Sequence, residues 1–305
     1  MSALSNPIFQ DETAAREWLE TRVWKDGRKC PHCGVIDQST LMKGESHRAG
    51  LYQCNACRKP FTVTVGTLYE SSKIPLHTWL AVTHLMMSSK KGMSALQISR
   101  MIDRPYKTVW FMCHRIRESL KASPDLAPMG GQNKVVEADE TYVGGKAKNR
   151  AHREPAPKQA VFSLVERDGN VRSFHIATVS SKTLRPIINE NVCKSSALMT
   201  DESAIYPKIG AAFSLHGTVN HSANEYARAY FWHTNSVEGY FSLLKRAVFG
   251  TFHHVSEAHL HRYTAEQDFK FNTRKMTDFE RTTLSLDGIF GKRLTYRRAG
   301  EARAN

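Results

Sequence analysis

Two cysteine pairs near the N-terminus constrain the fold of this chain more than any other feature. Cys30 and Cys33 form one Cys-x-x-Cys pair, Cys54 and Cys57 form the other, and 20 residues separate the pairs. Four thiolates at this spacing can close a tetrahedral zinc site, whereas a redox pair would lie in a βαβ pattern that the sequence does not show here. Residues 61–65 alternate apolar and polar side chains, which predicts a strand in the same module. We therefore expect a zinc ribbon whose one zinc ion per chain, held by all four cysteines, is structural.

The charge of the chain favours a polyanionic partner. Lys and Arg total 43 against 29 acidic residues, which gives a formal charge of +14 over 305 residues. Such a balance favours nucleic acid over a small neutral ligand. No stretch approaches the ~20 apolar residues that span a bilayer, and the N-terminus lacks a signal-peptide pattern. We therefore predict no membrane association and a cytoplasmic protein.

The apolar residues take a helical period between residues 75 and 120. One helix starts near Pro75, a second follows Ser94, which is placed to cap it, and a third covers residues 106–120. Two short helices joined by a tight turn, the second of them basic, indicate a helix-turn-helix that binds DNA. A plain three-helix bundle is the alternative, because helical hairpins are common. The residues predicted to contact DNA are Lys107, Thr108, Arg115 and Arg117.

Beyond residue 130 strand-like and helix-like segments follow one another, which predicts an α/β domain. Residues 134–143 form the first strand, in which Glu137 and Asp139 share one face. The segments that follow are strands at residues 160–166 and 171–178, a helix near residues 183–191 and a short apolar run that ends at Asp201. In open α/β sheets reactive groups gather at the carboxyl ends of strands, so Asp139 and Asp201 could converge there. A turn or helix cap is the more common role of an aspartate at a strand end.

Residues 233–246 predict a helix with two distinct faces. Its apolar residues recur at a helical period and are expected to pack on the sheet. Asn235, Glu238 and Lys245 form an adjacent polar stripe, which places an amide, a carboxylate and a cation along the edge of the core. A stripe of this kind usually faces water, and an incidental pairing of Glu238 with Lys245 is the plainer explanation.

The order of these modules and the sequences of their motifs resemble those of a known family. The motifs are Cys-Pro-His-Cys-Gly at residues 30–34, Gly-Thr-Leu-Tyr-Glu-Ser-Ser-Lys-Ile-Pro-Leu at 66–76, Ser-Ser-Lys-Lys-Gly-Met-Ser-Ala at 88–95, Asp-Glu-Thr-Tyr-Val-Gly-Gly-Lys at 139–146 and the block at 233–246. With them the chain resembles insertion-sequence transposases of the DDE type, in the ISXO-like (IS1595) group. The resemblance covers roughly residues 12–274.

The resemblance implies an RNase H-like catalytic domain with an acidic triad. Asp139 and Asp201 match its first two places, and either Asn235 or Glu238 matches the third. The family implies two Mg²⁺ or Mn²⁺ ions, with Asp139 between them and Asp201 and Glu238 flanking. We favour Glu238 for the third place because a carboxylate binds Mg²⁺ better than an amide does, and Asn235 would then orient water or the DNA backbone. Lys245 is expected to contact a DNA phosphate.

The resemblance further implies the function and the division of the chain. The protein would bind the inverted-repeat ends of an insertion sequence, cleave them and join them to target DNA, acting on double-stranded DNA as a homo-oligomer. The fold expected is multi-domain, with a zinc ribbon, a helix-turn-helix and an α/β RNase H-like domain. The predicted boundaries are an N-terminal helix at residues 1–24, the zinc ribbon at 25–74, the helix-turn-helix at 75–125, the RNase H-like domain at 130–275 and a basic tail at 276–305.

Two other classes of protein remain open. A transcription regulator with a zinc ribbon and a helix-turn-helix would share the N-terminal modules, but it would give no reason for acidic segments on an α/β domain. A structure-specific nuclease of RNase H-like fold would share the catalytic metals, but it would not join strands.

Overall fold

The computed structural model describes residues 3–123, 125–144, 157–219 and 232–295. The chain forms two compact units. The first unit comprises Met1–Ser89, Met93–Leu120 and Met276–Asn305, and the second unit comprises Lys90–Gly92 and Lys121–Lys275. Within the described ranges, no helix has both the length and the apolar character needed to cross a bilayer.

A small three-stranded sheet in the first unit matches the predicted ribbon. Its strands, β1 (Ser39–Leu41), β2 (Tyr52–Cys54) and β3 (Pro60–Phe61), pair antiparallel in the order β1-β2-β3. β3 is shorter than the strand predicted for residues 61–65, because the chain turns directly after Phe61. Tyr52 and Phe61 stack with their ring centroids 6.0 Å apart, and Trp24 meets both rings edge-on. So small a core needs a cross-link to be stable.

Helices make up most of the rest of the first unit. They are α1 (Glu12–Val23), α2 (Leu76–Ser88), α3 (Ala95–Ile102) and α4 (Tyr106–Ser119), with 3-10 turns at Ala3–Ser5 and Pro7–Phe9. Ser94 caps α3 as predicted, since its hydroxyl accepts a hydrogen bond from the Gln97 amide at 3.1 Å. α3 ends at Asp103 in the left-handed conformation, with φ of 49°. Pro105 then fixes the backbone at the start of α4, which gives the tight turn that the sequence predicted.

The segment predicted as a basic tail contains a packed helix of the first unit. α9 (Asp278–Ser285) begins with a capping box at Thr277, and a 3-10 turn at Asp287–Ile289 follows it. The buried Arg281 donates through Nη1 to the Met87 carbonyl oxygen in α2 at 2.6 Å. A tail was predicted from basic composition, but here a basic side chain satisfies a buried carbonyl group. Residues 296–305 lie outside the described part of the chain.

A five-stranded mixed sheet forms the centre of the second unit. Its strands, β4 (Val135–Val143), β5 (Gln159–Glu166), β6 (Val171–Ile176), β7 (Ala197–Asp201) and β8 (Leu215–Val219), lie in the order β6-β5-β4-β7-β8. β4, β5 and β6 are antiparallel neighbours, whereas β7 runs parallel to β4 and β8 parallel to β7. β8 is not predicted from the sequence, because Gly217 interrupts its pattern. A Cβ at Gly217 would lie 2.0 Å from the Trp232 ring, so this close packing requires glycine.

Helices cover both faces of this sheet. α5 (Ser181–Asn191) and the short α6 (Pro207–Gly210) share one core with Val136 and Ala138 of β4. α7 (Asn235–Ala247), a π-helical turn at Val248–Phe252 and α8 (Glu257–Asn272) form a second core against the opposite face. Alternate residues of β4 therefore belong to different layers, as the two-residue period of a strand requires. Glu137 and Asp139 face the layer of α7.

Candidate active site and zinc centre

Four cysteines of the ribbon converge on one point. The ligand atoms of Cys30, Cys33, Cys54 and Cys57 all lie within 4.8 Å of one another. The sulfur atoms of Cys30 and Cys57 are 3.8 Å apart, and those of Cys33 and Cys54 are 3.6 Å apart. A tetrahedral zinc ion with Zn–S bonds of about 2.3 Å places its sulfur ligands roughly 3.8 Å apart, so the four thiols fit zinc. Hydrogen bonds from the backbone amides of Cys57 and Ala56 lower the pKa of Cys54 to about 7, which favours the thiolate that zinc binds.

Asp139 and Asp201 hold corresponding positions on two neighbouring parallel strands. Glu137 of β4 and Met199 of β7 are the last residues that the two strands pair. Asp139 lies two residues after Glu137, and Asp201 lies two residues after Met199. Because side chains alternate along a strand, both carboxylates face the layer of α7. Asp201 is also the last residue of β7. The two acids thus lie where the strands part, at the edge of the sheet where ligands usually bind.

α7 contributes a third acid to this edge. Glu238 lies in the first turn of the helix, and its carboxylate accepts a hydrogen bond from the hydroxyl of the buried Thr234 at 2.9 Å. Asn235 is the first residue of α7 and is exposed. Lys245 is exposed in the last turn. It stands two turns beyond Glu238, a rise of roughly 10 Å along the helix axis.

The acids at this edge act on one another. Burial is the main cause that raises the pKa of Asp139 to about 7, and the negative charges of Glu140, Asp201 and Glu238 raise it as well. A hydrogen bond from the Glu140 amide, at 2.7 Å, opposes the shift. We call these four residues the acidic cluster. Like charges gathered in a partly buried place disfavour ionisation and favour the binding of a cation.

Glu140, an acid of the cluster, is in contact with a buried tyrosine. Its carboxylate accepts a hydrogen bond from the Tyr206 hydroxyl at 2.5 Å. Burial raises the pKa of Glu140, and burial together with the charge of Glu140 raises that of Tyr206. Among the described residues, the four cysteines of the ribbon are the group of side chains that lie close enough together to hold a metal ion without further movement.

Glu137 is a buried carboxylate whose role sequence reasoning missed. It is fully buried on β4 and accepts hydrogen bonds from the backbone amides of Ser236 at 2.8 Å and Val237 at 3.0 Å. Arg167 donates to it through Nε at 2.7 Å, and Nδ1 of His233 lies 3.2 Å from it. Glu137 therefore caps the first turn of α7 from a neighbouring strand. The strand and the helix that carry the acidic cluster are joined directly beside it.

The four residues of α4 that are predicted to contact DNA fall into two groups. Lys107 is exposed and Thr108 is half-buried, both in the first turn of the helix. Arg115 and Arg117 are only 8% and 2% exposed, so these two predicted DNA contacts are buried side chains. Nη2 of Arg115 instead donates to the Glu70 carbonyl oxygen at 3.2 Å. The physical reason is that the second half of α4 is buried on nearly all sides, which basic composition does not reveal.

Two transposase domains are recognised in the sequence. The ISXO2-like transposase domain matches residues 130–272, and the transposase zinc-ribbon domain matches residues 10–60. The chain belongs to the IS1595-like transposase family. The resemblance inferred from the motifs is thereby confirmed. The protein is a DNA-cutting transposase with a zinc ribbon and a catalytic domain built on a mixed sheet.

The chain is also similar to individual proteins. An uncharacterized protein in transposable element ISH50 of Halobacterium salinarum is 26% identical over 256 residues, which are 78% of this chain and 83% of that protein. A chain of the Drosophila P element transposase strand transfer complex is similar with a TM-score of 0.28 and 9% identity, over 66% of this chain and 58% of that one.

Loss of one cysteine ligand is expected to release zinc from this transposase. Elemental analysis of the purified protein should find one zinc per chain, and Cys30→Ser should lose the metal and unfold the ribbon, because metal binding and folding of so small a core are coupled. Cys193→Ser, in the second unit, should keep its zinc. Wild-type protein without zinc, or Cys30→Ser with its zinc retained, would show that the four cysteines do not bind this metal.

Neutralising Asp139 is expected to stabilise the transposase in the absence of metal. The folded protein raises the pKa of Asp139 to about 7, well above the usual value of about 3.9 in an unfolded chain. The cost of its ionisation is therefore small near pH 4, grows as pH rises to about 7 and is constant above that. Asp139→Asn should raise the free energy of unfolding by roughly 1–3 kcal/mol at pH 8 and by less at pH 5.

Denaturant unfolding without added metal measures this difference. Asp168→Asn is the matched control, because Asp168 is exposed in a left-handed turn that asparagine also adopts. It should change stability little at either pH. A gain for Asp139→Asn that is the same at pH 5 and pH 8 would contradict the electrostatic explanation.

Proposed function

We propose that this transposase binds the inverted-repeat ends of an insertion sequence and catalyses metal-dependent DNA cleavage and strand transfer with Asp139, Asp201 and Glu238. The observation that carries the proposal is the acidic cluster. Three of its carboxylates come from β4, β7 and α7, and the charges of Asp201 and Glu238 act on Asp139. Acids far apart in sequence and close in space, with a raised pKa, are typical of a functional site rather than of turns and caps.

The sheet supports an RNase H-like assignment for the catalytic domain. Numbered within the second unit, its five strands have the order 3-2-1-4-5, with the first three antiparallel and the last two parallel to the first. This is the arrangement that the resemblance to DDE transposases implies. It places the ends of the first and fourth strands side by side, and these ends carry Asp139 and Asp201.

The donor set of the acidic cluster fits a hard divalent cation. Carboxylate oxygens are preferred ligands of Mg²⁺ and Mn²⁺, and a cation would relieve the repulsion that raises the pKa of Asp139. Asp139, which interacts with both other acids, would hold the ions together with Asp201 and Glu238. A bound pair of such ions supplies activation of the attacking oxygen and stabilisation of the leaving oxygen in phosphodiester displacement.

The remaining residues of α7 orient the acids and the DNA. The Thr234 hydroxyl holds the carboxylate of Glu238 through the 2.9 Å hydrogen bond. Asn235, exposed one turn earlier, is positioned to orient water or the DNA backbone. Lys245, exposed at the far end of the helix, is suited to contact a DNA phosphate near the site. The chemistry needs no covalent bond between protein and DNA.

The first unit supplies the proposed binding of DNA ends. α3, the turn at Asp103 and α4 have the form of a helix-turn-helix, and the exposed end of α4 is its N-terminal turn, which carries Lys107 and Thr108. In helix-turn-helix proteins this end of the second helix enters the major groove. Because transposition brings two element ends together, we also propose that the protein acts as a homo-oligomer.

Paired DNA ends with Mg²⁺ test the proposed function. The transposase should nick or cut at the terminal repeats and should join pre-cleaved ends that carry a free 3′-hydroxyl group to a target plasmid. Specific end binding without cleavage would favour a transcription regulator. Cleavage without joined products would favour a nuclease.

The third acid is tested by separating Glu238 from Asn235. Glu238→Gln should lower cleavage in Mg²⁺ by roughly a hundredfold or more, because it removes a charged ligand of the ion, whereas Asn235→Ala should cost much less. Cleavage is measured for both variants across Mg²⁺ and Mn²⁺ titrations. Near-normal activity of Glu238→Gln together with loss in Asn235→Ala would move the ligand role to Asn235.

A further inference from the structure

A cleft in the first unit lies between α4 and the segment that leads into α2. Its volume is about 480 Å³. Its polar lining consists of the basic residues Lys107 and Arg115 and the hydroxyl groups of Ser71, Ser72 and Thr108. None of the described residues that line it is acidic. The lining therefore offers cations and hydrogen-bond donors, the chemistry that receives an anion.

Arg115 is held in this lining by two aromatic rings and one hydrogen bond, but one of its hydrogen-bond donors has no acceptor. Its guanidinium carbon lies 5.8 Å from the centroid of the Trp79 ring and 5.5 Å from that of Phe111, and Nη2 bonds the Glu70 carbonyl oxygen. Its Nε is buried and has no hydrogen-bond partner within the part of the chain that the structure describes. A buried donor without an acceptor is costly, so the site is more stable with a ligand that accepts from it.

Further positive charge lies near this guanidinium. Burial lowers the pKa of Arg115, the charge of the exposed Arg293 lowers it further, and Glu70 opposes both. Lys107 adds a second cation within the cleft itself. An anion placed between Arg115 and Lys107 would offset this crowding of positive charge.

We propose that the cleft binds one phosphate group of the DNA backbone, with Arg115, Lys107 and the Thr108 hydroxyl as donors. This inference rests on the proposed function, because it assigns a ligand to the unit that binds DNA ends. The planar guanidinium of arginine matches the geometry of phosphate oxygens, and its fixed position needs no ordering when DNA binds.

Two features favour a backbone phosphate over a nucleobase. Trp79 and Phe111, the aromatic rings of the lining, are already placed against Arg115 rather than offered as a free stacking surface. α4 is also 14 residues long, and Pro105 at its N-cap gives no side-chain hydrogen bond, so amides of its first turn are available to an anion beside Lys107 and Thr108. Such a contact fixes the register of the protein on DNA without reading sequence.

Lys107 and Thr108 therefore have a different role from residues that read bases. As phosphate ligands they should contribute equally to the affinity for all DNA sequences. Lys107→Ala should then weaken binding to specific and random duplexes by the same factor and should reduce the slope of log affinity against log salt concentration by about 1. A base-reading lysine would instead lose affinity only for the specific end.

Methylphosphonate scanning of the terminal repeat tests the assignment. Each phosphate in turn is made neutral, and binding of the full-length protein is measured for wild type and for the Lys107→Ala Thr108→Val double variant. Neutralising one particular phosphate should lower the affinity of the wild-type protein roughly tenfold. The same change should lower the affinity of the double variant by less than about twofold. Arg115→Lys keeps the charge but loses the planar guanidinium group. Its affinity should therefore depend less on the charge of the same phosphate; we call this dependence coupling. Arg100→Ala is the matched control, an exposed cation on α3 that should leave the coupling intact.

The outcomes separate the two proposals. Coupling at one phosphate, lost in the double variant and kept in Arg100→Ala, supports the cleft as its binding site. Specific end binding with no phosphate coupled to Lys107 and Thr108 overturns the inference and leaves the proposed function standing. Absence of any preference for the element ends overturns the proposed function and the inference together. The double variant changes solvent-accessible side chains and is expected to fold, so the test does not depend on Arg115→Lys.

Discussion

Asp139→Asn and Asp201→Asn are each expected to abolish cleavage and strand transfer while leaving the binding of DNA ends intact. Either change removes a charged ligand from the acidic cluster, and the loss of metal-assisted stabilisation should lower both rates by roughly a thousandfold or more. End binding should survive because it is assigned to the first unit, whereas both aspartates lie in the second. Folding should also survive, since the neutral side chains relieve repulsion within the cluster.

Three measurements on the same variants make this prediction decisive. Cleavage of uncut ends and transfer of pre-cleaved ends are measured separately, because both steps use the same carboxylates. A Mn²⁺ titration then shows directly whether ion binding is weakened. Asp168→Asn, the exposed turn aspartate, should behave as wild type in all three. Mg²⁺-dependent cleavage retained by Asp139→Asn or Asp201→Asn would remove that residue from the site.

Glu137→Ala is expected to destabilise the catalytic domain strongly. The change leaves the partly buried Arg167 without its carboxylate partner and the amides of Ser236 and Val237 without their acceptor. Breaking a buried ion pair from one side typically costs about 3–5 kcal/mol, a large part of the stability of one domain. Denaturant unfolding measures the loss, and any folded protein should cleave poorly because α7 is no longer fixed beside β4.

Glu166 provides the matched control for Glu137. It is an acid on the neighbouring β5, where it lies 3.5 Å from the exposed Lys134. It also accepts a hydrogen bond from the Gly130 amide at 3.1 Å. Glu166→Ala should therefore cost roughly 1–2 kcal/mol, clearly less than Glu137→Ala. The variant Glu137→Ala Arg167→Ala should lose less stability than the sum of its single changes, because the two side chains bond each other and each single change removes that same interaction. Equal losses for Glu137→Ala and Glu166→Ala would show that the buried network does not hold α7.

Much of the fold could be predicted from local patterns. The spacing of the cysteines, the cap at Ser94 and the alternation along β4 each depend on a few neighbouring residues, and the structure contains the elements that they predict. The predicted strands of the second unit agree with β4 to β7 within a few residues. The strand β8 was not predicted, because Gly217 is required by the Trp232 ring, a contact distant in sequence.

The sequence by itself determined which chemical groups this transposase has and which strand or helix carries each of them, because spacing and period are properties of local chain geometry. It could not determine whether a charged side chain is solvated or buried. Only the tertiary structure buried Arg115 and Arg117, packed α9 into the first unit and made Glu137 the cap of α7. Each of these depends on partners many residues away in the chain. The same is true of the acidic cluster, because the register of β4 against β7 and the seating of α7 bring its carboxylates together.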